Sequence, residues 1–193
     1  MMPLEPNPAP SAGPVDPNLV LGIDPGTAIM GYGLVRALSS PTASGDFELV
    51  EYGAINTPAG MPLARRLLSI YGQLNELLDR FHPAEVVLEE LFFNKNTTTA
   101  IAVGQARGVA LLAAASHNLT VREYTPLQVK QSLTGYGRAT KDQIQQMVSL
   151  MLNLDSPPQP DDAADALALA ICHLRGRRFI ERLEAQQAED DSY

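Results

Sequence analysis

Apolar residues alternate with, or run through, a series of short segments in the first half of the chain. Helical spacing dominates the second half. "LVLGID" (19–24) is an unbroken apolar run that ends on an aspartate, the signature of a strand buried on both faces. After the Pro25-Gly26 turn, "IMGYGLVRAL" (29–38) reads as its hairpin partner, and "FELVEYGAI" (47–55) as a third strand beyond the turn chemistry of "PTASGD" (41–46). Pro62 opens a helix in which Leu63, Leu67, Ile70, Leu74, Leu77, Leu78 and Phe81 recur at intervals of three or four. "AEVVLEE" (84–90) predicts a fourth strand, 96–118 a long helix and "LTVREY" (119–124) a fifth strand. Three further helices follow: "PLQVKQSLTG", closed by Gly135, then "KDQIQQMVSLMLNL", then "PDDAADALALAICHLRGRRF".

Three strands in series and then alternating helices and strands predict an α/β fold. Its mixed five-stranded sheet has an antiparallel meander followed by parallel strands, flanked by helices. Strands 1, 4 and 5 run parallel through right-handed crossovers. In such sheets reactive groups gather beyond the carboxyl ends of the central strands, where Asp24 and Glu89 stand. The 193 residues suffice for one domain with a full core. Residues 1–18, rich in proline, are expected to be a disordered leader, 19–180 the folded domain, and 181–193 an acidic tail that prolongs a helix and frays.

Charge changes this picture little. The net charge of −8 argues against a nucleic-acid partner, but much of it sits at the ends. Residues 19–180 hold 15 acids and 13 bases. One cysteine, Cys172, excludes an internal disulfide and fits a reducing compartment. With no secretory signal and no apolar run of membrane-spanning length, a cytoplasmic protein is expected.

The acids carry the candidate chemistry. No Lys or Arg lies within ten residues of Asp24. A carboxylate leaving water is costly unless a positive partner meets it. If strands 1 and 4 are parallel neighbours, Asp24 and Glu89 leave the same sheet edge about 4.8 Å apart. Asp162 and Asp165, three apart, share a face of the last helix; Asp161 reads as a helix-capping acid. Two readings stay open at this point. The acids are unrelated and solvated, or they converge and are neutralised by cations. Oxygen-only donors select Mg²⁺ or Mn²⁺, and a pair of such ions suits phosphodiester hydrolysis.

Four motifs, "GIDPGTAIMGYG", "LEELFFNKNTTTAIAVGQARGVALL", "YTPLQVKQSLTGYGRATKDQIQQMV" and "DDAADALALAICH", resemble in order those of the RuvC family of crossover junction endodeoxyribonucleases, over about residues 19–175. The resemblance implies an RNase H-like fold and a nuclease that resolves Holliday junctions by paired symmetric nicks, leaving 5′-phosphate and 3′-hydroxyl ends. It implies Asp24, Glu89, Asp162 and Asp165 as catalytic ligands of two Mg²⁺, for which Mn²⁺ can substitute, with lysines at Lys130 and Lys141. It also implies a homodimer, a four-way junction as substrate and the RuvA–RuvB branch-migration complex as partner. His173 matches the family pattern without an independent role.

Other groups suit DNA. Lys95, Arg107, Arg122, Lys130, Arg138 and Lys141 make residues 86–150 net positive once Glu89 is set aside. "GYGRATK" (135–141) suits a phosphate backbone, or is simply a solvated loop. Phe92 is either core or a ring that stacks on an unpaired base, the role the resemblance points to. Gly104 and Gly108, four apart among alanines, fit close packing against the sheet or against a second subunit. Competing functions are an RNase H acting on RNA–DNA hybrids, an actin-like ATPase and a non-catalytic junction-binding protein. The ATPase needs a second phosphate loop that the sequence lacks.

Overall fold

The structure, a computed structural model, describes residues 14–42, 45–90 and 97–190. One five-stranded sheet runs in the order β3-β2-β1-β4-β5. Its strands are β1 (Asp16–Asp24), β2 (Ile29–Thr42), β3 (Gly45–Asn56), β4 (Pro83–Glu89) and β5 (Thr120–Tyr124). β1–β2 and β2–β3 are antiparallel, while β1–β4 and β4–β5 are parallel. That is the meander and crossover arrangement the spacing predicts.

Among the described residues, five helices cover the sheet: α1 (Leu63–Phe81), α2 (Thr97–Ser116), α3 (Pro126–Thr134), α4 (Lys141–Leu152) and α5 (Asp161–Asp190). On one face, Leu19, Leu21 and Ile23 of β1 and Val86 and Leu88 of β4 meet α1 and α2. On the other, Val20 and Val87 meet α3, α4 and α5. α1 buries Ile70, Leu74 and Leu78, a stripe of i, i+4, i+8 positions. Each such side chain contributes about 1.5–3 kcal/mol. α2 instead buries Ala106, Ala110, Ala113 and Ala114, which lets it lie close against its neighbours.

The boundary of the first strand shifts. β1 begins at Asp16 and not at Leu19, so residues 16–18, assigned from sequence to the leader, belong to the sheet. The anchor is an ion pair from Arg36 Nε to Asp16 Oδ2 at 2.7 Å. Residues 1–13 lie outside the described ones. The backbone of α5 continues to Asp190, so most of the acidic tail is helix. No helix among the described residues is long and apolar enough to cross a membrane.

Two glycines decide how closely α5 approaches the sheet. A Cβ on Gly22 would stand 2.0 Å from the Ala166 carbonyl oxygen, and one on Gly31 would stand 1.9 Å from that of Asp162. Any side chain there would push the helix away. The small faces of Ala163, Ala166 and Ala170 complete the close contact. "GIDPGTAIMGYG" and "DDAADALALA" are therefore complementary surfaces, and their fit brings the start of α5 over the end of β1.

Candidate active site

Strand alternation aims the first two acids. Odd positions of β1 (19, 21, 23) face α1 and α2, so Asp24, like Val20 and Gly22, faces α5. In β4 the alternation puts the odd positions Glu85, Val87 and Glu89 on the α5 side. The parallel register pairs Ile23 with Leu88, so Asp24 and Glu89 stand side by side at the strand ends.

A cavity of about 320 Å³ opens there, lined by Asp24, Glu89, Lys130, Lys141 and Asp165 above the apolar walls of Val129, Ile144 and Leu169. α3 delivers Lys130 and α4 delivers Lys141. Both helices start with a full capping box, Thr125 with Gln128 and Thr140 with Gln143. These fix the helix origins, and with them the lysine Cα positions. Lys141 Nζ lies 3.1 Å from Asp165 Oδ2 and 3.2 Å from Asp161 Oδ2.

The electrostatics are under-neutralised. Burial raises the Asp24 carboxyl to about 7, helped by the negative charges of Asp165, Glu89 and Asp162 and opposed by Lys141. Burial and Asp165 also raise Glu89, against the pull of Lys130. Asp165 is raised by burial in spite of its bond to Lys141. Burial alone would lower Lys141, but the carboxylates of Asp165 and Asp161 outweigh it and raise the ammonium.

The structure thus gathers Asp24, Glu89, Asp165, Lys130 and Lys141 around one cavity. Asp162 stands beside it, close enough to act on Asp24 and Asp165 but not in its lining. Arg138 is exposed on the α3–α4 loop. Phe92 and Lys95 lie outside the described residues. Asp161, read from sequence as a cap, bonds through its side chain to Lys141 and Gln145 instead. α5 starts from Pro160, whose carbonyl accepts the N–H groups of Ala163 and Ala164.

Sequence reasoning left His173 without a role. It is buried, with Nε2 2.8 Å from Glu85 Oε2 and Nδ1 2.9 Å from the Tyr124 hydroxyl. The only prior signal was parity: Glu85 shares the strand face of Glu89, and so had to meet α5.

The donor set suits a hard divalent cation, being all carboxylate oxygen, partly buried and short of positive charge. As the side chains stand, no three His, Cys, Asp or Glu residues among the described ones form a group that could hold a metal ion. Two cations reach the cavity among these acids, Lys130 and Lys141, the latter bonded to Asp165.

A mixed sheet in this order, with acids at the ends of β1 and β4 and at the start of a helix crossing them, is the framework of the RNase H-like nucleases. Within that class, the family model "Crossover junction endodeoxyribonuclease RuvC" matches residues 20–173. A protein of that name from Moorella thermoacetica is 57% identical over 155 residues, covering 80% of this chain and 90% of its own. One from Alkaliphilus metalliredigens is 53% identical over 161 residues, covering 83% and 95%. The solved structure of Thermus thermophilus RuvC in complex with a Holliday junction substrate superposes with a TM-score of 0.76 at 37% identity, covering 83% of this chain and 95% of that one. The chain belongs to the RuvC family of crossover junction endodeoxyribonucleases, which are divalent-metal-dependent nucleases.

Proposed function

We propose that this protein resolves Holliday junctions by paired symmetric nicks, with Asp24, Glu89, Asp162 and Asp165 holding two Mg²⁺ (or Mn²⁺) in each subunit. The observation that carries the site assignment is the convergence of Asp24, Glu89 and Asp165 with two lysines on one cavity at the strand ends. When bound, the ions activate water and stabilise the leaving oxygen of the phosphodiester. The products are 5′-phosphate and 3′-hydroxyl ends.

The chain's own residues do the rest. Asp24 and Glu89 stand at the ends of paired parallel strands, which keeps their backbone positions in register. Asp165 and Asp162 ride on a helix locked down at Gly22 and Gly31. Lys141 presents its ammonium at the cavity, where it offsets charge gathering on the scissile phosphate. Lys130 presents a second cation from α3 and is the group that opposes the rise of Glu89. Arg138, Lys95 and the α3–α4 loop follow the phosphate backbone, and Phe92 stacks on a base opened at the crossover.

Two matched cuts need two sites in two-fold relation, which a homodimer supplies. The exposed stripe of α2 supports this reading. Ile101 and Leu112 are 62% and 58% exposed, and a Cβ on Gly108 between them would meet nothing within 4 Å. Small and apolar residues on an uncovered face favour a helix–helix contact between subunits. Family membership supports a partnership with the RuvA–RuvB branch-migration complex and a cytoplasmic location. The nuclease domain, expected over 19–180, would extend to Asp16, where β1 begins, between a leader and an acidic tail.

The test compares a synthetic four-way junction with linear duplex and with an RNA–DNA hybrid, each with Mg²⁺. Symmetric nicks on the junction alone are expected, with protein migrating as a dimer. Hybrid cleavage at a comparable rate would replace this reading with an RNase H activity.

A further inference from the structure

We infer that Asp161 is a positioning residue for the reaction, holding the Lys141 ammonium in place over the active-site cavity. The inference rests on the reading of Lys141 given above and concerns a residue outside the proposed ligand set.

Lys141 is the first residue of α4, and its long, half-exposed side chain lines the cavity. Fixing such a flexible stem costs side-chain entropy, so an ammonium held there needs anchors. Two are present. Asp161 and Asp165, four apart, lie on one face of α5, and their Oδ2 atoms stand 3.2 and 3.1 Å from Lys141 Nζ. The anchors differ in what else they do. Asp165 lines the cavity and is a proposed cation ligand, so a bound cation would compete with Lys141 for its oxygens. Asp161 is not in that lining and keeps its hold on Lys141.

Asp161 is itself oriented. Its other oxygen, Oδ1, accepts a hydrogen bond from Gln145 Nε2 at 2.9 Å. Gln145 is buried, at 8% exposure, and stands one turn beyond Lys141 on α4. α4 therefore grips the Asp161 carboxylate at two points one turn apart, through a buried amide and through Lys141. An acid serving only the partial positive charge of the α5 N-terminus needs neither bond. The two oxygens of Asp161 thus tie the placement of the Lys141 ammonium at the cavity to a hydrogen bond from the buried Gln145 amide.

The direct test needs neither metal nor turnover. In EDTA, with lysines labelled at Cε and Lys141 assigned by Lys141→Arg, a held side chain shows two inequivalent Hε resonances. In an Asp165→Asn background, where Asp161 is the carboxylate left to hold Lys141, Asp161→Ala should merge these, while those of Lys130 stay as they are. In Asp161→Ala alone, single-turnover cleavage of a four-way junction with Mg²⁺ should fall about tenfold. Junction affinity in EDTA should be unchanged or tighter, because a negative charge has left the DNA side. Asp161→Asn keeps an acceptor for Gln145 and loses the ion pair, so it should reproduce the effects even if the alanine variant folds poorly. Unchanged Lys141 resonances on both substitutions in the Asp165→Asn background, or an unchanged cleavage rate, would overturn the inference. If Lys141→Ala cleaves at the full rate, the catalytic reading of Lys141 itself fails, whereas the resonances still report whether Asp161 holds it.

Discussion

Glu85 and Glu89 sit four residues apart on one strand and face the same helix, yet their surroundings push them in opposite directions. At Glu85, burial would raise the carboxyl, but the hydrogen bonds of His173 and Arg122 outweigh it and hold it below its ordinary value. At Glu89, burial and the nearby Asp165 raise it, and only Lys130 opposes them. The contrast extends along α5, whose start brings Asp162 and Asp165 and whose middle brings His173 and Arg177. One end of the sheet is neutralised by the chain's own bases. At the other, acids outnumber the bases that reach them, and that imbalance is what a divalent cation and a phosphate can use. The first end holds the fold together; the second stores repulsion that only a ligand relieves.

The largest effect that tests this division should come from Asp24→Asn. Cleavage is expected to drop by at least about 10²-fold with junction binding retained, measured as single-turnover rate against affinity in EDTA. The same change should stabilise the metal-free fold. Asp24 stands at about 7 when folded against an ordinary 3.8, so the folded state binds this proton more tightly. Its contribution is therefore full below about pH 3.8 and lost as pH climbs towards 7. At pH 8 without metal, Asp24→Asn should gain ~2–4 kcal/mol in denaturant unfolding. A loss of stability there would show that the buried Asp24 carboxylate does not burden the metal-free fold.

Next in size is Glu85→Ala, which strands His173 beside Tyr124. It should cost about 3 kcal/mol of stability, with junction cleavage by the remaining folded protein near normal. The pH dependence has the opposite sign to that of Asp24. Glu85 is lowered from 4.5, so its contribution is present above that value and lost as pH falls through the folded pKa. A cleavage defect without a stability defect would erase the division between the two ends.

Lys141→Ala should reduce cleavage about tenfold to a hundredfold while leaving thermal unfolding within a few degrees, since its ion pairs are half exposed. The smallest effect should be that of the cation itself. Mg²⁺ at ten times its dissociation constant should stabilise the wild-type protein by about 1.4 kcal/mol. It should stabilise Asp24→Asn by clearly less, read as a shift in thermal midpoint. Equal shifts in the two proteins would place the ion elsewhere.

The antiparallel meander and the parallel run of strands 1, 4 and 5 are legible in the chain, whereas the adjacency of β1 and β4 that sets Asp24 beside Glu89 is a condition that the sheet order meets. The meander and the parallel run follow from a period of two and from the lengths of the connections, which are local properties. The placement of Asp162 and Asp165 on one helix face is legible for the same reason. Sequence spacing did not reveal that Asp161 bonds to Lys141 and Gln145, nor that His173 closes on Glu85 across 88 positions. Those contacts exist because Gly22 and Gly31 let α5 sink against β1 and β2, which fixes every residue of that helix against partners far away in the chain. Periodicity says which face a side chain takes. How near that face comes to another element depends on the summed packing of both, and only the tertiary structure decides it.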